Sequence, residues 1–280
     1  MKQKIAFFDI DGTLCDSQGE VLASSVTAIQ GFRKKGNLAY LCTGRSKPEI
    51  IDSIVAIGFD GVIGAGGGYV VMNEDVVIHE TMPKDAVREI VSYFDSQDIG
   101  YYLESNDGLF SSDNCIPNIK KAISASANTT EEYQALEQQI VWFYDLISPI
   151  DPEKIDYGNV NKISFINTTV AFEEITNKYR DAFHIYHSTV PLFGPLSGEI
   201  AVKGIDKERA VKYVLNALSM EPEQAIAYGD GNNDIAMFNA VGHSVAMANG
   251  TDELKAVATE ITEDADHDGI YLNMLKHGWC

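Results

Sequence analysis

Two carboxylates stand just beyond an apolar run near the start of the chain. Asp9 and Asp11 follow the run Ile5–Phe8 and precede Gly12, which indicates a turn. A short run that is apolar on both faces is typical of a buried strand in a parallel sheet. Ligands bind beyond the carboxyl ends of such strands, so this pair lies where catalysis would take place. The alternative is that the pair only caps a turn through its side-chain oxygens.

Three further segments carry side chains that could take part in the same chemistry. Thr43-Gly44-Arg45 directly follows the predicted strand Leu38–Cys42, and Gly229–Asp234 directly follows the predicted strand Ala225–Tyr228. Lys207 begins a predicted helix. If these strands lie side by side, their ends bring together several carboxylates, a hydroxyl group and an ammonium group.

This set of side chains suits magnesium and phosphoryl transfer. Crowded carboxylates repel one another unless a cation neutralises them, and oxygen ligands with few histidines favour Mg²⁺. Thr43 and Lys207 can supply donors to phosphoryl oxygens, because phosphoryl transfer needs mostly positioning and charge stabilisation. One carboxylate then remains as a nucleophile and another as an acid/base.

The same segments resemble those of the haloacid-dehalogenase-like (HAD) hydrolases, and within them the Cof-type phosphatases, which carry a large α/β cap inserted after the third core strand. The resemblance covers essentially the whole chain: DIDGTL at 9–14, TGR at 43–45, GIDKERAV at 204–211, GDGNND at 229–234, and VAMAN followed by DHDGI at 266–270. The combination of DxDGT and GDxxND in this order is specific, whereas TGR or a single lysine would be weak.

The resemblance implies a role for each matching acidic residue. Asp9 is expected to be the nucleophile that becomes a phospho-aspartate, and Asp11 the acid/base that protonates the leaving oxygen and then activates water. Mg²⁺ is the expected cofactor, bound by Asp230, by the Asp9 carboxylate and by the Asp11 backbone carbonyl. Asp234 also belongs to the expected metal site, and with Asn233 it matches the pair that contacts the phosphoryl group, orients the lysine or holds metal-bound water.

The resemblance also implies a set of residues that bind the phosphoryl group, namely Thr43, Gly44, Lys207 and Asn233. Lys203 is the alternative to Lys207 for the lysine role. The motif spacing favours Lys207, whereas Lys203 could be a surface residue where the chain returns to the core.

One segment departs from the family pattern. Gly66-Gly67-Gly68 stands where relatives usually have Asn-Gly-Ala. The change removes a side-chain amide and predicts a looser segment at this point. It bears on substrate preference and leaves the expected reaction unchanged.

The patterns along the chain predict two domains. Residues 1–82 and 202–280 alternate strands and helices, which predicts an α/β, doubly wound parallel-sheet (Rossmann-like) HAD core. Residues 83–201 predict an inserted α+β cap that would determine substrate specificity. Within the core, Ser46–Gly58 resembles a helix opened by a capping box, and Gly61–Ile63 is the expected third strand.

Charge and cysteine spacing restrict the expected partners and location. The formal net charge of −20 argues against nucleic-acid or anionic-membrane binding. The chain shows neither a signal peptide nor a stretch long enough to span a membrane, and its four cysteines fit neither a disulfide framework nor a zinc site. We therefore expect a cytoplasmic monomer or weak homodimer whose partner is a small phosphorylated metabolite.

The predicted activity is Mg²⁺-dependent hydrolysis of a small phosphomonoester through an aspartyl-phosphate. A sugar phosphate is the first expectation for the substrate by resemblance, with flavin mononucleotide and pyridoxal phosphate as alternatives. Two other functions remain open from the sequence. One is a phosphotransferase or phosphomutase on the same core, and the other is a non-enzymatic phospho-accepting regulatory domain.

Overall fold

The computed structural model describes residues 2–280, which divide into two compact units. The first unit comprises the chain up to Arg45, Ile50–His79 and Gly204–Cys280. The second comprises Ser46–Glu49 and Glu80–Lys203. Among the described residues, no helix has both the length and the apolar character needed to cross a membrane.

The strands of the first unit form one eight-stranded sheet. They are β1 Ile5–Phe8, β2 Leu38–Cys42, β3 Gly61–Gly64, β4 Tyr69–Met72, β5 Asp75–His79, β12 Ala225–Gly229, β13 His243–Ala246 and β14 Glu260–Ile261. Their spatial order is β14-β13-β12-β1-β2-β3-β4-β5, and the strands from β14 to β3 are parallel. Ile5 of β1 pairs with Ala225 on one side and Leu38 on the other. The carboxyl ends of β1, β2 and β12 therefore meet at one edge of the sheet.

Helices cover both faces of this sheet. They are α1 Ala23–Lys34, α2 Asp52–Val55, α8 Lys207–Ala217, α9 Asp234–Phe238, α10 Asp252–Val257 and α11 Gly269–Lys276. Phe7 packs in a buried cluster with Val211 of α8, whereas Phe8 packs in a second cluster with Phe32 of α1. Successive strand residues point to opposite faces, so β1 is covered on both sides. The predicted doubly wound α/β fold is confirmed.

The second unit contains a six-stranded sheet. Its strands are β6 Gly100–Ser105, β7 Gly108–Ser111, β8 Ile147–Pro149, β9 Lys162–Ile166, β10 Phe183–His187 and β11 Gly198–Val202. The order is β10-β11-β9-β6-β7-β8, antiparallel except for the β7–β8 pair. Its helices are α3 Lys84–Ser96, α4 Cys115–Ser126, α5 Thr130–Gln138, α6 Val141–Leu146 and α7 Phe172–Tyr179. Phe94 of α3 packs in a buried cluster with Leu103 and Phe165.

The segment predicted to be one helix, Ser46–Gly58, is broken. It holds a 3₁₀ turn over Lys47–Glu49 and then only the four-residue α2. The Ser46 backbone N–H donates to Glu49 Oε2 at 2.8 Å, which is one half of a capping box. The other half is missing because the Glu49 backbone N–H donates to the Ser46 carbonyl at 3.0 Å and not to the Ser46 hydroxyl. The hydroxyl instead lies within hydrogen-bond distance of the Glu49 and Glu104 carboxylates. The prediction of a continuous capped helix was therefore wrong.

An antiparallel hairpin extends the sheet of the first unit beyond its parallel strands. β4 pairs antiparallel with β3, and β5 pairs antiparallel with β4. The turn residues Asn73 and Glu74 have positive φ values of 49° and 71°. Such a turn matches the twist of a two-residue hairpin. The sequence did not predict this hairpin, because its turn lacks the glycine that usually marks one.

Candidate active site

Asp9 lies one residue beyond β1 and is buried. Its backbone N–H donates to the Tyr228 carbonyl of β12 at 3.0 Å, which fixes Asp9 at the edge where the strands end. The residue is 5% exposed, and its Oδ1 accepts a hydrogen bond from Lys207 Nζ at 2.7 Å. A buried carboxylate needs a charged or hydrogen-bonding partner, and Lys207 supplies both.

Lys207 lies between two carboxylates. It is the first residue of α8, whose N-cap Asp206 accepts a hydrogen bond from the Arg209 backbone N–H at 2.8 Å. The Lys207 ammonium lies 2.7 Å from Asp9 Oδ1 and 2.6 Å from Asp234 Oδ1. Burial lowers the pKa of Lys207, but the Asp234 and Asp9 carboxylates outweigh burial and raise it. The ammonium group is therefore charged.

Asp234 holds both the lysine and its own loop. Its Oδ1 accepts from Lys207, while its Oδ2 accepts from the backbone N–H groups of Asp230 and Gly231, each at 3.0 Å. A Cβ at Gly229 would lie 2.6 Å from the Asp234 Cβ, so the close turn requires glycine there. Asp234 therefore determines where the Lys207 ammonium and the Asp230 loop lie.

Asp230 contacts the loop that follows β1. Thr13 Oγ1 donates to Asp230 Oδ1 at 3.1 Å. Gly12 has a φ of +70°, and a Cβ at this position would overlap the Asp230 carboxylate. Only glycine combines this backbone conformation with such a close approach. The two acidic motifs, which are far apart in the chain, thus pack directly against each other.

The three carboxylates of Asp9, Asp230 and Asp234 could hold a metal ion, since one oxygen atom from each lies within 4.8 Å of the others. Burial, reinforced by Asp234, raises the pKa of Asp9 to about 8 and that of Asp230 to about 6. The site holds one ammonium group, that of Lys207, and three carboxylates. A divalent cation would offset the excess of carboxylates and favour their ionised forms. An all-oxygen donor set of this kind fits Mg²⁺.

Asp11 lies apart from these three carboxylates and pairs with Arg45. Arg45 Nε donates to Asp11 Oδ2 at 2.9 Å, and Arg45 Nη2 donates to Asp11 Oδ1 at 2.6 Å. The Asp11 side chain is 65% exposed, whereas that of Arg45 is 15% exposed. The two-pronged pair orients Asp11 at the mouth of the site.

The residues predicted to bind the phosphoryl group occupy different environments. Thr43 follows β2 and is buried, and its Oγ1 accepts from the Arg45 backbone N–H at 3.1 Å. Gly44 has open space where a Cβ would lie. Asn233 is exposed and is the N-cap residue of α9. Lys203, the alternative to Lys207, donates to the Asp181 carbonyl in the second unit at 3.0 Å.

The glycine segment after β3 contacts two parts of the site. Gly67 has a φ of +108°, and a Cβ there would overlap the backbone carbonyl of Asp206. The Gly66 N–H donates to the Thr43 carbonyl at 3.0 Å. The segment therefore joins the end of β2 to the residue that caps the helix of Lys207, while its looser character stays a prediction from the sequence.

Sequence reasoning did not predict the contacts of two residues that shape this site. Thr13 is part of the DIDGTL segment, but its hydrogen bond to Asp230 depends on the packing of two loops. Arg45 stood in a recognised segment, yet its pairing with Asp11 could not be read from spacing. Arg45 and Asp11 come together because β1 and β2 are adjacent in the sheet.

Comparison with known proteins shows the family of this chain. The family model described as haloacid dehalogenase-like hydrolase matches residues 6–274. A Mycoplasma pneumoniae relative is 29% identical over 280 residues, covering 97% of this chain and 96% of its own. The Bacillus subtilis protein named 5-amino-6-(5-phospho-D-ribitylamino)uracil phosphatase YwtE is 26% identical over 283 residues, covering 98% and 99%.

Solved structures show the same fold. A hypothetical protein from Geobacillus kaustophilus superposes with a TM-score of 0.84 at 22% identity, covering 99% of this chain and 100% of that one. A sugar phosphatase of HAD subclass IIB superposes with a TM-score of 0.76 at 22% identity, with the same coverage. From the family match and the phosphatases among its relatives, the chain belongs to the haloacid dehalogenase-like hydrolase family, and its enzymatic class is that of the phosphatases.

Proposed function

We propose that this protein hydrolyses small phosphomonoesters, such as a sugar phosphate or a similar metabolite, with Mg²⁺ and through an aspartyl-phosphate on Asp9. The observation that carries the proposal is the buried Asp9 carboxylate held by Lys207, with Asp230 and Asp234 beside it. A carboxylate fixed by a cation at a strand end is suited to attack phosphorus, because one oxygen is held while the other is available.

In the first step the second oxygen of Asp9 attacks the phosphorus atom. The bond between phosphorus and the ester oxygen breaks, and the leaving oxygen takes a proton from Asp11. In the second step Asp11 accepts a proton from water, whose oxygen attacks the phosphorus and releases phosphate and the Asp9 carboxylate. For Asp11 to carry a proton, its pair with Arg45 must open, which the 65% exposure of the Asp11 side chain permits.

The remaining residues position charge around the phosphoryl group. Lys207 supplies a positive charge to the phosphoryl oxygens, and Asp234 holds its ammonium group in place. Asp9, Asp230 and the Asp11 carbonyl would hold Mg²⁺. When bound, the ion would supply positive charge that keeps Asp9 ionised and offsets the charge of the phosphoryl group.

The substrate class rests on the chemistry of the site and on the named relatives. The site described above can bind any phosphomonoester, because it recognises only the phosphoryl group and a metal ion. A sugar or polyol phosphate is favoured since one relative is named for a phosphorylated ribityl compound and a similar structure is a sugar phosphatase. The cytoplasmic location and the oligomeric state stay predictions from the sequence.

Release of inorganic phosphate from a panel of phosphorylated metabolites tests the proposal. We expect Mg²⁺-dependent release, its loss in EDTA and its return with added Mg²⁺. Asp9→Asn should lower the rate by at least about 10⁴-fold, because the nucleophile acts together with its partners. Asp252→Asn, which changes an exposed acidic residue in the first turn of α10, is the matched control and should keep the rate.

Two results would contradict the proposal. Full activity in EDTA would remove the metal from the reaction. Loss of substrate without stoichiometric phosphate would show transfer to another acceptor, which is the activity of a phosphotransferase or mutase.

A further inference from the structure

A second cluster of ligand-type side chains lies at the opposite end of the parallel strands. His243 is the first residue of β13, Glu260 is the first residue of β14, and His277 directly follows α11. Asp9 and Asp230, by contrast, follow the carboxyl ends of β1 and β12. The cluster is therefore separate from the active site.

The two imidazoles converge on one carboxylate oxygen. His277 Nε2 lies 2.8 Å from Glu260 Oε2, and His243 Nε2 lies 3.4 Å from the same atom. One ligand atom from each residue falls within 4.8 Å of the others. Two atoms that bind one tetrahedral zinc at about 2.0–2.2 Å are roughly 3.4 Å apart, so small side-chain movements would suffice.

His243 Nε2 is a buried nitrogen with no hydrogen-bond partner among residues 2–280. The atom is close to Glu260 Oε2, but the contact does not have hydrogen-bond geometry. Buried polar atoms are nearly always satisfied, so this one calls for a partner. A metal ion placed between the imidazoles and the carboxylate would provide it.

Other residues hold the carboxylate in the orientation that a metal would need. Glu260 Oε1 accepts hydrogen bonds from Asn273 Nδ2 and from Lys276 Nζ, the latter at 3.2 Å. Asn273 is buried, and its Oδ1 accepts from the Tyr228 hydroxyl at 2.8 Å. Glu260 Oε2 is thereby left facing both imidazoles. Carboxylate ligands of metals are typically fixed by such hydrogen bonds.

We propose that His243, Glu260 and His277 form a binding site for a divalent transition-metal ion such as Zn²⁺, Ni²⁺ or Co²⁺. Two imidazole nitrogens and one carboxylate oxygen suit these ions, whereas Mg²⁺ takes oxygen ligands. Three protein ligands leave one position for water. The bound ion would connect the start of the edge strand β14 and the start of its neighbour β13 to the end of the last helix.

Fluorescence of Trp279 offers a local measurement. The Trp279 ring stacks on His277 with centroids 4.3 Å apart, and the chain has only one other tryptophan, Trp142. In a Trp142→Phe background, Ni²⁺ or Co²⁺ is titrated with Mg²⁺ in large excess, so that the all-oxygen site is occupied by magnesium. We expect saturable quenching with one ion per chain, and the same affinity after Asp230→Asn.

Substitution of the ligands distinguishes this site from nonspecific binding. His277→Gln and His243→Gln should each weaken binding more than about 10-fold, since even residues that only orient ligands contribute 10- to 100-fold. His79→Gln, which changes another histidine of the first unit, should not. Calorimetric Ni²⁺ titration of the same variants avoids dependence on the altered surroundings of Trp279, and circular dichroism checks folding. Unchanged affinity in both ligand variants, or no saturable binding at all, would overturn the proposal.

Discussion

Two buried lysines, one in each unit, lie between pairs of carboxylates. Lys207 in the first unit is 2.7 Å from Asp9 and 2.6 Å from Asp234. Lys162 in the second unit is 3.3 Å from Glu104 and 2.9 Å from Glu199. The composition of the two clusters is nearly the same, so their surroundings must account for any difference in chemistry.

The cluster around Lys162 is built in the middle of a sheet. Glu104 and Lys162 are directly paired on β6 and β9, and Glu104 also accepts hydrogen bonds from the hydroxyls of Ser164, at 2.6 Å, and Ser46. The carboxylate is thus enclosed by donors from strands and from the Ser46 segment. Such an enclosed, hydrogen-bonded network serves structure.

The cluster around Lys207 instead lies where strands end. Asp9 and Asp234 are followed or preceded by loops, and Asp230 adds a third carboxylate within reach of a metal ion. Loops can admit a ligand that a paired strand would exclude. A buried lysine with two carboxylates therefore does not identify an active site by itself. What identifies the active site is that the Lys207 cluster lies at the carboxyl ends of parallel strands and holds more carboxylates than cations.

Loss of Lys207 should lower the phosphatase rate much more than loss of Lys162. Lys207→Met removes the positive charge next to Asp9 and should lower the phosphatase rate by about 10²–10³-fold, the usual cost of one charge-stabilising donor. Lys162→Met should change the rate by less than a few-fold. Steady-state kinetics of both variants measures the contrast. Equal losses would show that the two clusters do not differ as described.

The free energy of unfolding should depend more on Lys162 than on Lys207 when Mg²⁺ is present. Lys162→Met leaves the buried Glu104 without its ion pair and should lower the free energy of unfolding by about 3–5 kcal/mol at pH 8. Lys207→Met is also destabilising, but Mg²⁺ can offset the excess negative charge there. Urea unfolding with and without Mg²⁺ measures this. If Mg²⁺ restored the free energy of unfolding of the Lys162→Met variant, the proposed difference between the two clusters would be contradicted.

The acidity of Glu104 gives a smaller, pH-dependent effect. Burial raises the pKa of Glu104 to about 7, above the ordinary 4.5, so the folded protein binds this proton more tightly than the unfolded chain. The corresponding stabilisation is complete below pH 4.5 and is lost as the pH rises through 7. Integrated over this window it amounts to roughly 3 kcal/mol.

Glu104→Gln removes this titration and tests its sign. The difference in unfolding free energy between wild type and variant should shift in favour of the variant from pH 5 to pH 8. Urea unfolding at several pH values measures it. Parallel pH profiles for the two proteins would show that Glu104 keeps an ordinary pKa in the folded state.

The two clusters also differ in how far the sequence could predict them. Asp9 and Asp230 stand next to glycines directly after apolar runs, so local patterns place them at strand ends. The pairing of Glu104 with Lys162 depends on the register of two strands, which no local pattern specifies. The sequence also did not predict the cluster of His243, Glu260 and His277, because the spacing of these residues matches no metal motif.

Local patterns also failed where a side chain has a distant partner. The Ser46–Glu49 spacing predicted a long helix, but the Ser46 hydroxyl contacts Glu104, and only a 3₁₀ turn and the four-residue α2 form. The alternation of strands and helices was sufficient for the doubly wound core because each run was apolar on both faces. Tertiary contacts override local signals where polar side chains are buried.

The most direct test of the central claim is to trap the phosphorylated enzyme. With an aryl phosphate, whose leaving group needs no proton, Asp11→Asn should still transfer the phosphoryl group to Asp9 but should hydrolyse the product slowly. Acid quenching, borohydride reduction and peptide mass spectrometry should then show homoserine in place of Asp9, and unmodified peptide in the Asp9→Asn, Asp11→Asn double variant. Absence of the modified residue during turnover, or its appearance at another carboxylate, would contradict the account.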